Sequence, residues 1–367
     1  MIALLYSILL FGLPLLVIPF IQFPYELPKV IAFEFILYVI ALLIGKKYGF
    51  GIFQKANKFL LILVGSITIL SIFWLVLLHS STVLFGNVFR MQGIFLLWHL
   101  LGFSIVTAVV PKIELTWKLY AITLIGLFVS AFLLIHPETG RAIGTLGESN
   151  ALAVAAVFLW PFSKMIKSEK SMTKVVVALS FITALAIVFM SQSRAGFIAL
   201  LVQILFMIIL RYVKKPIFSF SLAVGLLGIS MLLPLIDTTS VYESRAEIWR
   251  TAIHAGSSNP IIGGGFGNIS EILNNASWQL SNNIRFQSVD SAHNIFLDWL
   301  IQGGIVGLGL FMVLAGYSFY AHIKVKNDHF VLMMLGLLVA LSFNPASVVG
   351  LVALFWLIGL GYTSAKK

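Results

Sequence analysis

Apolar stretches near the length of a membrane-spanning helix, about 20 residues, recur along this chain with so few charges between them that a water-soluble core is excluded. Of its 367 residues, 60% are hydrophobic and only 10% are charged, and the mean hydropathy is +1.04. Twelve such stretches are expected, at about 2–21, 29–45, 59–78, 92–110, 115–135, 150–166, 174–190, 195–212, 217–235, 294–320, 330–343 and 346–361. The expected fold is therefore all-α, a polytopic transmembrane helical bundle formed by one domain over residues 1–367, with a single long polar excursion at 236–292. The last two stretches are short and are parted by Asn344-Pro345, so a re-entrant pair is the alternative there. The first stretch lacks a basic leader and an A-x-A cleavage site, and reads as a retained helix.

Charge alternates between the connecting loops. Lys46, Lys47, Lys55 and Lys58 fall in one loop, Lys112 and Lys118 in the next even one, then Lys164, Lys167, Lys170 and Lys174. Arg211, Lys214 and Lys215, then Lys324 and Lys326, and finally Lys366 and Lys367 continue the series. With twelve spans all of these share one side, which the positive-inside rule makes cytoplasmic, and both termini are then inside. The opposite side carries Arg90, Arg141, Arg194, Arg245, Arg250 and Arg285 but only one lysine, Lys29. Topogenesis does not separate lysine from arginine, whereas chemistry does: a planar guanidinium grips phosphate or carboxylate in a fork, and lysine is a flexible point charge. Pairing with outer carboxylates would also account for the bias; an outward-facing site for a phosphorylated ligand is the sharper reading.

Several of these arginines open helices. Arg194, in the turn SQSRAG, stands at the start of a span, where the helix dipole disfavours a cation unless an anion joins it. Arg141 introduces RAIGTLGESN, whose Ser149 or Asn150 can cap the sixth span and whose glycines leave backbone N–H groups open to an anion. Arg90 enters the fourth span through FRMQG. In the excursion, 241–253 has the spacing of an amphipathic helix with Tyr242, Ala246, Trp249 and Ile253 on one face, and Arg245 within reach of Trp249. The excursion is too short and too polar for a separate domain and reads as a lid. PIIGGGFGN follows, but no strand precedes it and no nucleotide is available on the outer side, so a phosphate-binding nucleotide loop is rejected.

From Ser288 to Gly309 a polar segment turns abruptly into the tenth span. His293 sits at the turn, Asn294 follows it, and Gly303, Gly304, Gly307 and Gly309 repeat at helical spacing, which suits close approach of a neighbouring helix. Asp298 is an ionisable residue inside the span, able to orient a partner or line a cavity. Glu34, similarly placed in the second span, reads as a packing or lateral-opening residue. A histidine at such a lip often serves only as a cap. The remaining histidines have no metal-ligand spacing, and the absence of cysteine excludes disulfides and thiolate zinc sites.

Together, RxxG at 90–93, GTLGESN at 144–150, SRAG at 193–196, RxxxW at 245–249, PxxGGGFGN and HN-x9-GxxG resemble the O-antigen ligase and polymerase superfamily. The resemblance implies a GT-C-like bundle in a bacterial cytoplasmic membrane. It implies an inverting glycosyltransferase, as in lipopolysaccharide biosynthesis, that takes a glycan from undecaprenyl diphosphate to an acceptor hydroxyl on the outer side. It places Arg194 and Arg245 on the diphosphate and His293 on the acceptor. Ligase, polysaccharide polymerase and protein O-oligosaccharyltransferase all remain open, as does the acceptor: glycan, lipid or protein.

The residues themselves point the same way. A transferase working where no nucleotide is available needs a pre-activated donor, and a glycosyl diphosphate lipid is one. Its cleavage builds charge on the leaving diphosphate, which fixed arginines stabilise; Arg141 and Arg90 are further candidates for that role. No DxD-like carboxylate cluster occurs, so neither metal nor other cofactor is expected. His293 is the candidate base, with Asn294, Asp298 and Trp249 supporting, and Asp290 and Glu247 as competing bases. The rival class is a transporter of lipid-linked sugars, but no internal repeat is visible and the charges gather at one face instead of mid-membrane.

Overall fold

The structure is a computed structural model that describes residues 1–87, 89–110, 114–165, 170–232, 245–281 and 289–364. Among the described residues it is all-helical, with one isolated β-bridge between Ile135 and Ala142. In chain order the helices are α1 (Ile2–Ser7), α2 (Glu26–Tyr48), α3 (Lys58–Leu78), α4 (Ser81–Phe85), α5 (Ile94–Val109), α6 (Trp117–Leu133), α7 (Ser149–Leu159) and α8 (Lys170–Met190). There follow α9 (Arg194–Tyr212), α10 (Pro216–Leu232), α11 (Arg245–Ser258), α12 (Ile269–Leu280), α13 (Ile295–Lys324), α14 (Asp328–Leu341) and α15 (Val348–Ser364). Helix occupies a part of every stretch expected to span. By length and composition, five helices can cross a membrane: Glu26–Tyr48, Lys58–Leu78, Met172–Met190, Arg194–Tyr212 and Ile295–Lys324.

Where observed helices fall short of the expected stretches, proline or burial is the reason. α1 continues through a π turn and a 3-10 turn only to Leu15, because Pro14, Pro19 and Pro24 lack the N–H needed to carry a helix on to residue 21. α14 spans 14 residues, about 21 Å at ~1.5 Å per residue, yet it never needs lipid. Every residue from Val331 to Leu341 is buried, among α7, α9, α10 and α13. The link from Ser342 to Ser347 is buried as well. Irregular backbone is tolerated at that depth only when protein satisfies it, and here Gln92 Nε2 donates to Ala346 O while Glu26 Oε2 accepts from Val348 N at 3.0 Å. α14 and α15 thus form a hairpin whose tip is held inside protein. The end of the ninth expected stretch, 233–235, lies outside the described residues.

The small-residue face of α13 does not meet another helix. Gly304 has φ 62° and ψ −162°, a combination essentially restricted to glycine, and it breaks the helix between Ile301 and Val306. The glycine-rich loop enters the break. Gly264 N donates to Ile301 O at 2.8 Å and Gly265 N to Gln302 O at 3.0 Å, while Ile305 N donates to Pro260 O at 2.8 Å and Val306 N to Ile261 O at 3.1 Å. The carbonyls and amides that a continuous helix would have paired with each other are therefore all re-paired with the loop, as burial demands. Trp74 Nε1 adds a bond to Ile262 O at 2.9 Å, and Gln302 Oε1 accepts from Gly267 N at 2.8 Å. Gly309, by contrast, faces open space.

Candidate active site

The break in α13 leaves its first two turns as a short, rigid platform for the residues just before it. Asn294 caps the helix, its Oδ1 accepting from Phe296 N at 2.9 Å and Leu297 N at 3.3 Å. One turn on, the buried Asp298 reaches back: Oδ2 accepts from Ser291 Oγ at 2.8 Å and Oδ1 from Ala292 N at 2.7 Å. Ser291 Oγ in turn accepts from His293 N at 2.9 Å. His293 itself is left-handed, with φ 54°, a conformation uncommon outside glycine, asparagine and aspartate that persists when its surroundings over-determine it. Asp298 and Asn294 thus position the histidine turn from below and behind.

The imidazole of His293 is pushed down to about 4, first by burial, then by the charges of Arg245 and Arg90, with Asp290 opposing them. It is neutral at physiological pH and able to accept a proton. Arg245, the first residue of α11, therefore lies in the field of His293. Trp249, one turn on, is buried. The face of α11 turned inward carries Ile248, Trp249, Ala252 and Ala255, whereas Ile253 is exposed, so the apolar face is rotated from the one expected by spacing. Tyr242 and Arg285 lie outside the described residues.

Arg90 is engaged twice. Its Nε meets Asp290 Oδ2 at 2.6 Å and its Nη2 meets Glu148 Oε1 at 3.0 Å, while Nη1 is buried without a partner among the described residues. Burial works against this charge, but Glu148 and Asp290 outweigh it and hold the pKa above the ordinary arginine value. Two residues beyond Glu148, Asn150 Oδ1 accepts from Arg141 Nη2 at 3.1 Å and from Ser193 Oγ at 3.0 Å. Arg141 Nε also donates to Ser191 O at 2.9 Å, and burial lowers its pKa. Ser193 Oγ caps α9, accepting from Gly196 N at 3.3 Å, and presents the exposed Arg194 at the helix start.

The start of α7 is consequently the junction of the site, with Glu148 facing Arg90 and the histidine turn, and Asn150 facing Arg141 and Arg194. A buried lysine secures the preceding loop: Lys29 Nζ donates to Tyr25 O at 2.8 Å and Thr145 O at 3.0 Å. Glu148, Ser193 and Lys29 were not singled out by sequence reasoning. Glu148 lay inside a quoted motif, and a carboxylate beside an arginine-bearing turn was the available signal. Glu34, on α2, approaches His99 Nδ1 at 3.9 Å, and His99 Nε2 lies 2.7 Å from Tyr38 Oη, so this intramembrane carboxylate has a polar neighbourhood that spacing did not reveal. Among the described residues no cluster of three or more His, Cys, Asp or Glu could hold a metal ion.

Comparison with curated proteins gave no match. The family model described as O-antigen ligase matches residues 179–312, which take in Arg194, Arg245, the glycine-rich loop, the histidine turn and the broken helix. Over that stretch the chain belongs to the O-antigen ligase and polymerase superfamily of membrane glycosyltransferases.

Proposed function

We propose that the protein transfers a glycan from undecaprenyl diphosphate to an acceptor hydroxyl on the outer side of a bacterial cytoplasmic membrane, as an inverting enzyme of the O-antigen ligase type. The observation that carries this reading is the neutral His293, pinned by Asp298 and lying in the field of Arg245. His293 takes the proton as the hydroxyl oxygen bonds to the anomeric carbon. The carbon–oxygen bond to phosphate breaks, and the lipid diphosphate leaves with the electron pair. Arg194 and Arg245 balance its charge, a contribution that for one such donor is commonly about 2.7–4 kcal/mol of barrier. Arg141 and Arg90 are already bound to protein acceptors, so we assign them to bracing the site and not to gripping the donor.

Purified protein in liposomes, given a lipid-linked glycan and candidate acceptors without ATP, tests this reading. Glycan on the acceptor supports it; movement of the lipid across the bilayer without bond cleavage would replace it with a transporter. Arg194→Lys is expected to be impaired nearly as badly as Arg194→Ala, because the diphosphate requires the guanidinium fork; a fully active lysine variant would refute that role.

The proposed orientation is equally testable, since the native chain has no cysteine. A cysteine at Asn275, on α12, is expected to react with an impermeant thiol reagent outside intact cells, and one at Lys174 only after the membrane is opened. The reverse pattern would turn the site toward the cytoplasm.

A further inference from the structure

Behind the histidine turn, on the side away from the arginines, a cavity lies between α5, α13, α15 and the glycine-rich loop. It opens about 80 Å³ to water-sized molecules, room for about six waters at ~10–15 Å³ each, or on the order of 180 Å³ of liquid. That is the size class of one pyranose ring. Its walls differ in character. Asp298 and Gln302 of α13, with Gln92, supply a carboxyl group and two amides, Phe266 and Trp299 supply aromatic surface, and aliphatic residues such as Leu97 close the far side.

The chemistry narrows the ligand. No lysine, arginine or histidine lines the cavity, so a phosphate would face the Asp298 carboxyl with no compensating cation. A hydrocarbon chain would strip water from that carboxyl and from two amides without replacing their hydrogen bonds, a cost of roughly 1–3 kcal/mol per group. A single carboxylate is too few for a metal cage. A neutral sugar ring meets both walls, its C–H face on the apolar side and its hydroxyl edge toward the polar groups. Acceptor capacity remains for it: Asp298 uses two of about four acceptor positions on Ser291 and Ala292, and Gln92 spends its amide nitrogen on Ala346.

We propose that this cavity is a subsite for one uncharged sugar ring of the acceptor, seated against Asp298, Gln302 and Gln92. The assignment to the acceptor rests on the transferase reading above. Inverting displacement brings the nucleophile to the face of the anomeric carbon opposite the leaving group, and the cavity lies opposite the arginines assigned to the diphosphate.

Two variants fill the cavity from different walls, Leu97→Phe and Ala346→Leu, and their melting temperatures in detergent are compared with wild type to confirm folding. The first readout is saturation-transfer NMR of purified protein with the methyl pyranosides of glucose, galactose and N-acetylglucosamine. Wild type is expected to saturate at least one of them, and a well-folded filled variant to lose that signal. The second is steady-state transfer, in which the acceptor KM is expected to rise about tenfold or more while the donor KM stays within about twofold. Saturation of none of the glycosides, or equal saturation in the filled variants, would overturn the subsite and leave the cavity to water. An equal rise in donor KM would overturn its assignment to the acceptor. Failure of wild type to transfer glycan would refute the enzymatic reading, while glycoside binding would still decide the subsite.

Discussion

Replacing His293 by alanine is expected to lower glycan transfer by about 10²–10⁴-fold, the usual contribution of a positioned general base, while binding of the lipid diphosphate stays near the wild-type level. The expectation follows from how the residue is held. Ser291, Asp298 and Asn294 fix its backbone, so the imidazole is presented and not mobile, and no donor ligand is lost with it. Burial, then Arg245, bring its pKa down to about 4, so the acid limb of transfer should lie near pH 4 and not near the ordinary histidine value of about 6.5. Removing the Arg245 charge should move that limb upward, because it withdraws one of the groups that oppose protonation. Stability follows the same equilibrium with a definite sign. The unfolded histidine binds its proton below about 6.5 and the folded one only near 4. The folded state is therefore destabilised progressively as pH falls through that window, with no further loss from this group below it. A variant that retains half the wild-type rate would demote His293 to a helix lead-in and make Asp290, bound to Arg90 beside it, the next base to test.

Gly304→Ala is expected to destabilise the protein by several kcal/mol, about 1–3 from the backbone conformation alone with the loss of loop bonds added at ~1 kcal/mol each. A methyl group on Gly304 would run into Ile261 O, and one on Gly263 into Gln302, so neither strand of the junction can yield to the other. The helix could close into a regular turn only by expelling the loop, which would leave Gly264 N, Gly265 N, Pro260 O and Ile261 O unpaired. Thermal unfolding in detergent reads the effect, and Gly309→Ala, which faces open space, is the control expected to melt as wild type or slightly higher. Equal melting of both variants would show that the break contributes nothing. Activity should fall further than stability alone explains, since Gln302, at the break, also donates from Nε2 to Asp298 O at 3.1 Å, and so links the junction to the platform beneath His293.

The amino-acid sequence by itself determined that this chain is a helical membrane protein, because long uncharged apolar runs admit little else, and it marked the arginine-bearing turns and the histidine lip as the polar exceptions. Periodicity could not say what the glycines of α13 were for: spacing alone suggests a neighbouring helix, and the partner is a loop 39 to 45 residues earlier in the chain, running from Gly265 back to Pro260 against Gly304 and Ile305. Nor could it sort the arginines. All of them open turns in the same way, and only the approach of Glu148 and Asp290 from distant segments separates the twice-paired Arg90 from Arg194. Helix lengths near the C-terminus were likewise decided by packing, since α14 could be short once protein on every side had removed its need to reach across lipid. Local propensity and hydropathy act over a few turns of chain; the charge state of His293, the joint in α13 and the cavity behind Asp298 depend on groups brought together across hundreds of residues, and those only the tertiary structure supplies.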